Sequence, residues 1–296
     1  MTKVTGVMTF IDPHVHFFAL SKGNYGWLKS HNPPYWPDKA AIARCTSEQS
    51  LIVASNREIA GFVHIEAGFD NARPWREIHY LNAHCHLPFK SIACIDLTSP
   101  GVYGHIDYLA RLPSVIGLRH ILDGEATDLL SHPKVKHVVR YMSERGLLFE
   151  AQFDINSNSA TAALLNCIDC IPSLTVIINH AASGGLNLVN SNTLKGWQAN
   201  ILALGNATRV GMKLSGWEMQ DRNWTLPAAN RVFQFLFEHV EHDKLMLASN
   251  YPLCQWRLPY HTLWQAYKRL VSQLPVSSQQ GLLAENARRW YKIAAK

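Results

Sequence analysis

Charge is scarce in this sequence. Only 17% of its 296 residues are Asp, Glu, Lys or Arg, while 47% are hydrophobic. A chain so constituted can bury a large core and does not have the composition of a disordered segment. Lys and Arg outnumber Asp and Glu, for a formal net charge of +6 and a pI near 9.0. They nowhere gather into a run, so a nucleic-acid-binding stripe is excluded and no nucleic-acid partner is expected. What the basic balance leaves open is an attraction for an anionic small molecule. No apolar stretch approaches the length of a membrane span, and no membrane partner is expected. The opening residues, MTKVTGVMTF, lack the apolar core of a signal peptide. The expectation is a soluble cytoplasmic protein. Internal repeats and low-complexity tracts are absent too.

Cysteine is present without forming a framework. Cys45, Cys85, Cys94, Cys167, Cys170 and Cys254 are scattered, several within apolar runs, as free thiols in a reducing compartment would be. Cys167 and Cys170 make one C-x-x-C, but no second pair follows at zinc-ribbon spacing. The segment reads as a helix, so core packing is the preferred role.

What is there is an alternation. Short, mostly continuous apolar runs span Phe10 to His14, Gly61 to Glu66, Ser91 to Asp96 and Val115 to Arg119. Four more span Leu147 to Gln152, Leu174 to His180, Arg209 to Ser215 and Lys244 to Asn250. Such runs fit strands buried on both faces of a parallel sheet. Helical patterns lie between them. Val135, Val138, Val139 and Met142 fall at i, i+3, i+4, i+7 before Gly146, which stops a helix. Val232, Phe233, Leu236 and Phe237 form the stripe of another, over about Ala228 to Val240. Leu282, Leu283, Ala287 and Trp290 mark a last one. Eight strands, each followed by a helix or long loop, favour a single α/β domain over residues 1–296, a (β/α)₈ TIM barrel. An open doubly wound sheet is the alternative, and the first strand lacks the Gly-x-Gly-x-x-Gly turn that would support it. The first connection, Phe17 to about Asn56, is long and rich in aromatics, Pro and Asn. It reads either as a lid or binding loop or as a packed surface excursion.

In a barrel, chemistry belongs at the C-terminal ends of the strands. Asp12-Pro13-His14-Val15-His16 ends the first strand, and alternation lets His14 and His16 converge there. Two imidazoles can bind a divalent metal, or act as acid and hydrogen-bond donor. A bare His-x-His is weak evidence in a chain with 15 histidines; His84 and His86, near a probable helix end, are read as incidental. His180 closes another apolar strand before Ala181-Ala182-Ser183-Gly184-Gly185, and Asn250 closes the last. Arg119 has a guanidinium suited to a carboxylate or lactone carbonyl, or to a structural ion pair. Glu150 with Gln152, and Lys213 with Ser215, share strand faces that could look into the barrel. Glu218 lies just beyond, on a loop. Each of these reads more readily as supporting structure than as catalytic. Tyr25, Trp27 and Trp256 could wall an apolar or planar substrate.

Taken together, these segments resemble the amidohydrolase superfamily. The resemblance rests on Ile11-Asp12-Pro13-His14-Val15-His16, Tyr25-Gly26-Trp27-Leu28, Val63-His64-Ile65-Glu66-Ala67 and Gly117-Leu118-Arg119-His120. It continues through Val176-Ile177-Ile178-Asn179-His180-Ala181, Lys213-Leu214-Ser215-Gly216, Ala248-Ser249-Asn250-Tyr251-Pro252 and Asn286-Ala287-Arg288-Arg289. These span nearly the whole chain in the expected order. The resemblance is closest to the amidohydrolase-2 branch with its pyrone-dicarboxylate and sugar (fucono-, rhamnono-) lactonases and decarboxylase-like barrels. It implies a site at the barrel mouth, with His14, His16, His180 and Asn250 as the catalytic set and Tyr25, Trp27, Glu66, Arg119, Gln152 and Trp256 around the substrate. It also implies either one divalent metal, zinc or manganese, on His14, His16 and His180, or the metal-free route of some lactonases. In the family an aspartate stands where this chain has Asn250. Asparagine keeps the shape but takes no proton from water and adds no negative charge to a metal. Another base is then needed, with His180, Glu66 and Asp12 as candidates.

The expected function is hydrolysis of a small lactone, a carboxylated pyrone or a sugar lactone. Two alternatives stand beside it: a catalytically impaired relative that still binds a ligand, and a metal-dependent decarboxylase of an aromatic acid. A homodimer is expected only because closed symmetric dimers are common.

Overall fold

The computed structural model describes residues 9–186 and 191–295, apart from the side chains of residues 191 and 192. Eight strands lie side by side in chain order and all neighbours are parallel. They are β1 (Phe10–Val15), β2 (Ile59–Ile65), β3 (Phe89–Cys94), β4 (Val115–Ile121), β5 (Leu148–Gln152), β6 (Val176–Ile178), β7 (Val210–Leu214) and β8 (Leu245–Leu247). Each falls on one of the apolar runs, and helices or turns separate them, so the chain folds as a (β/α)₈ barrel. Among the described residues no helix is long and apolar enough to cross a membrane.

Alternation along the strands divides the core into two layers. Ile11, Val63, Ile65, Ile92, Leu148, Ile177 and Met246 fill the barrel interior. Phe10, Phe62, Ala93, Leu118, Phe149 and Met212 point outward into the larger layer beneath the helices. Ala287, Tyr291 and Ile293, from the C-terminal segment, join the interior cluster. That segment is the predicted last helix, with a correction. It is α-helical over Val276–Gln280, widens into a π-turn over Gly281–Glu285 and returns to α-helix over Asn286–Tyr291.

The other helices obey local rules. Pro133–Glu144 starts with Pro in its first turn and with His132 accepting from Lys134 N; Val135, Val138, Val139 and Met142 are buried. Leu226–His239 is capped by Thr225 and buries Val232, Phe233 and Leu236. Cys167 and Cys170 lie one turn apart in the helix Asn158–Cys170, one buried and one exposed.

The long first connection is shorter than the composition suggested. Ser47 and Ser50 form a reciprocal capping box, which opens a helix over Glu48–Ala54. The preceding loop carries its own small core of Phe18, Tyr25, Leu28 and Ile42, packed on Ala67, Phe69 and Leu253.

β1 and β8 meet at a seam that closes chiefly at the C-terminal end. One parallel bridge joins Val15 to Tyr251. His16 N donates to Tyr251 O at 2.7 Å and Asn250 N to His14 O at 3.1 Å. The fully buried Asp12 fastens this seam. Its carboxylate accepts from His14 N and Ser249 N (both 3.1 Å), from Ser249 Oγ (2.5 Å) and from Tyr260 OH (2.8 Å). Burial pushes its pKa up to about 6 against those hydrogen bonds. Asp12 was one candidate for the catalytic base; the four donors around it make it a clasp instead.

Asp12→Ala would leave those four donors buried without an acceptor. The expected loss is about 3 kcal/mol of stability, read as a lower denaturant midpoint. A midpoint equal to wild type would show that the seam closes without Asp12.

Candidate active site

The strand ends bring His14, His16, His180 and Asn250 together. His14, His16 and Asn250 are almost wholly buried. The His14 ring centroid lies 5.0 Å from that of His16 and 4.6 Å from that of His180. His180 and Asn250 each adopt a left-handed backbone, with φ of 54° and 65°, immediately beyond their strands. Non-glycine residues rarely do so, and the conformation persists only where surrounding contacts hold it. Beneath His180 lies Gly216, itself at φ 71°, where a Cβ would stand 2.5 Å from the imidazole. Only glycine lets the turn after β7 pass under that ring.

The hydrogen-bond geometry fixes two tautomers. His16 Nδ1 is 2.9 Å from Ile65 O. A carbonyl cannot donate, so Nδ1 carries the proton and Nε2 is an acceptor. His14 Nε2 lies 3.2 Å from that acceptor and must therefore be the donor. His14 Nδ1 then keeps its lone pair, which faces Lys213 Nζ at 3.4 Å. Lys213 also donates to both carboxylate oxygens of Glu150, at 2.8 and 2.9 Å. Tyr291 OH approaches the same carboxylate from below at 2.5 Å. A directed chain results, from Glu150 and Lys213 through His14 and His16 to Ile65.

The electrostatics keep the imidazoles neutral. Burial, then Lys213 and the neighbouring imidazoles, hold His14 well below the usual histidine range. Burial and Arg119 do the same for His16. For His180, burial with Arg119 and Lys213 lowers the pKa to about 3. Its Nδ1 is 3.0 Å from Ser215 Oγ. Burial brings Lys213 down to about 8 against the pull of Glu150, so it stays cationic at neutral pH.

The residues expected around the substrate are divided in their roles. Arg119 Nε and Nη2 bond Glu66 Oε1 at 3.0 and 2.7 Å, Nη2 also reaches Glu66 O, and Nη1 meets Gln152 Oε1 at 2.9 Å. Arg119, Glu66 and Gln152 thus form one buried network, and the guanidinium charge is already met. Tyr25 is 2% exposed. Its hydroxyl is engaged by Ala19 N and Phe17 O, so it locks the loop rather than lining a pocket. Trp27 and Trp256 are half-buried at the loop, with their indole N–H groups on Ala67 O and Asp38 O. Arg222 stacks on Trp256 at 3.8 Å and pairs with Asp38 at 2.7 Å.

Sequence reading undervalued two residues. Lys213 and Glu218 seemed supporting, yet Lys213 orients His14, and Glu218 touches Asn250 directly: Asn250 Nδ2 donates to Glu218 Oε1 at 2.6 Å. Glu218 also lies on a short helix, Trp217–Gln220, rather than on a loop. The signal for Lys213 was a charged residue inside an otherwise apolar strand. For Glu218 there was none, because a turn set its direction.

A divalent metal does not fit the donor set as it stands. Among the described residues no group of three or more His, Cys, Asp or Glu is arranged to hold one. Asn250 brings no charge. The His14 nitrogen that faces His16 carries a proton as long as Lys213 is cationic, so it has no lone pair for a metal.

Fold and site together are those of a barrel enzyme with a cluster of imidazoles at the strand ends. The amidohydrolase family model, Amidohydro_2, matches residues 11–293, and the chain belongs to that family. It is 26% identical to y4mH of Sinorhizobium fredii (strain NBRC 101917 / NGR234), itself uncharacterized, over 97% of this chain and 99% of that one. An amidohydrolase structure from Burkholderia multivorans with bound HEPES superposes with a TM-score of 0.82, at 17% identity, over 97% of this chain and all of that one. The Burkholderia protein is also known with zinc bound (TM-score 0.81). A Pseudomonas putida structure, assigned as a 2-pyrone-4,6-dicarboxylic acid hydrolase, superposes with a TM-score of 0.72, at 17% identity, over 98% and 99% of the two chains. At these identities the structures establish the shared fold.

Nitrogen-15 NMR of labelled histidines tests the tautomer chain. His14 should appear as the neutral Nε2–H form and His16 as the neutral Nδ1–H form, with neither they nor His180 titrating between pH 5 and 8. The sign follows from the depressed values: each imidazole stays unprotonated until well below pH 6.5. A site histidine titrating near pH 6.5 would overturn the assignment.

Proposed function

We propose that the protein hydrolyses a small lactone at the barrel mouth, using its own residues rather than a resident metal. The observation that carries this reading is the cluster of neutral, buried imidazoles at the strand ends, with the cation of Lys213 behind His14. Attack of water on a lactone carbonyl develops negative charge on its oxygen. An imidazole N–H already in place in a dry site stabilises that charge at little reorganisation cost. His180 donates from the nitrogen opposite Ser215, while the His14 N–H stays committed to His16 and holds the cluster in place.

The charges at the mouth favour a sugar lactone over a dicarboxylated pyrone. Arg119 is met by Glu66, Lys213 by Glu150 and Arg222 by Asp38. A dianionic ring would need at least one of these cations released. Hydroxyl groups instead suit the polar side chains nearby: the Asn179 amide, next to His180, is buried with neither end partnered. Asn250 favours a second reading, a ligand-binding relative without turnover. A lactone that binds tightly and stays intact through prolonged incubation would establish it.

A panel of sugar lactones and pyrone dicarboxylate, with and without chelator, tests the proposal. Wild type should open a sugar lactone at a rate that chelation leaves unchanged. His180→Ala should lose about 10²–10³-fold in kcat while keeping its fold. A folded His180→Ala protein with full activity would refute its role, and chelator-sensitive turnover restored by zinc would refute the metal-free route.

A further inference from the structure

The reaction needs a proton acceptor, and Asn250 cannot be one. Most carboxylates of the barrel interior and seam are fully engaged. Asp12 accepts from four donors in the β1–β8 seam. Glu66 is bound by Arg119. Glu150 is bound by Lys213 and Tyr291. His16 Nε2 accepts from His14, and His14 Nδ1 faces Lys213. Glu218 is different. It is 1% exposed, one oxygen is held by Asn250, and the other, Oε2, has no hydrogen-bond donor. A buried carboxylate oxygen left unpartnered is costly, and such exceptions call for a functional explanation.

We infer that Glu218 is the general base, positioned by Asn250, that takes the proton of the attacking water. The inference rests on the hydrolytic reading above. Water oxygen bonds to the lactone carbonyl carbon as its proton passes to Glu218 Oε2. The ring carbon–oxygen bond then breaks, and the Glu218 carboxylic acid returns the proton to the departing alkoxide. The product is a hydroxy acid and Glu218 ends as a carboxylate, so no further reagent is needed.

Position and environment support this. Glu218 lies two residues beyond Gly216, over which His180 sits, and Asn250 reaches it from the end of β8 while its own N–H bonds His14 O. An aspartate at 250 would set a second carboxylate against the first at hydrogen-bond distance, and two like charges there cannot both ionise easily. The amide removes that conflict and aims Oε1. Burial pushes the Glu218 pKa up to about 7, against the hydrogen bond from Asn250 and the charge of Arg222. A base is most effective with a pKa near the working pH. Arg222 holds the Glu218 backbone carbonyl, and Cys254 and Tyr267 are the other titratable groups that feel its charge. Burial raises both of these well above their usual ranges, so neither ionises where Glu218 does.

Three proteins test the assignment on the sugar lactone that wild type turns over best: wild type, Glu218→Gln, and Glu218→Gln with Asn250→Asp. Glu218→Gln is isosteric. It should lose about 10²–10⁴-fold in kcat with KM little changed. In wild type, activity should fall as pH drops below about 7, as the base takes up its proton; that acid limb should vanish from the residual rate of Glu218→Gln. The double variant moves the carboxylate across the same hydrogen bond and should recover part of the loss, with an acid limb of its own. If Glu218→Gln keeps wild-type turnover and the acid limb, the assignment is overturned while the hydrolase reading stands. If wild type opens no lactone, the hydrolase reading falls and the base falls with it.

Discussion

The buried ion pair between Lys213 and Glu150 sits at the centre of this structure. Both residues are fully buried within the barrel, so separating them would leave a bare charge in a low-dielectric interior. Three consequences follow from its geometry. Two of the three ammonium protons go to Glu150, so the third faces His14 and fixes its tautomer. That tautomer makes His14 the donor to His16, and His16 then donates to the backbone of β2. The pair therefore sets the state of two imidazoles that it touches directly or at one remove. Tyr291, from the C-terminal helix, reaches up the barrel to the same carboxylate. The plug at the bottom of the barrel and the chemistry at its mouth are thus connected through one side chain, Glu150.

The seam between β1 and β8 supplies the rigidity that the cluster needs. Both strands end in site residues, and the barrel closes there through hydrogen bonds from His16 and Asn250. Asp12, just inside, ties β1 to Ser249 and to Tyr260 of the helix Tyr260–Val271. His180 and Asn250 both hold left-handed backbones, which the chain would abandon if the contacts around them loosened. Closure of the fold and aim of the side chains are the same set of bonds.

How much of this was legible in the sequence depends on what fixes each residue. The strands were plain because burial on both faces demands unbroken apolar runs, as in Thr175 to Ile178. The two helices whose apolar stripes stand out, Pro133–Glu144 and Leu226–His239, were equally plain. His14, His16 and His180 could be placed because strand alternation and strand ends determine where they point. Tyr25 was misjudged because an aromatic in a loop looks the same whether it walls a ligand or locks the loop, and only its hydroxyl partners decide. The helix Glu48–Ala54 was hidden within a loop-like composition. The Ser47–Ser50 box was its one local mark. Glu218 was hardest: its direction depends on the left-handed turn at Gly216, and its partner is 32 residues away.

The charge pattern of the mouth argues about selectivity as well as chemistry. Each cation near the site carries its own counter-ion, and the imidazoles are neutral. The mouth therefore holds little net field to draw in an anion, despite a chain charge of +6. The excess of Lys and Arg lies elsewhere, where it bears on solubility and encounter rather than on recognition. A neutral, hydroxyl-rich ring entering such a site displaces no ion pair and leaves no buried charge uncompensated. An anionic ring held by Arg119, for example, would have to break the Arg119–Glu66 pair, leaving the Glu66 carboxylate buried beside it. Removing one partner of a buried pair costs more than a surface contact returns. On the proposed lactonase reading, selection against anions would then be built from interactions that hold the barrel together, and would require no residue dedicated to exclusion.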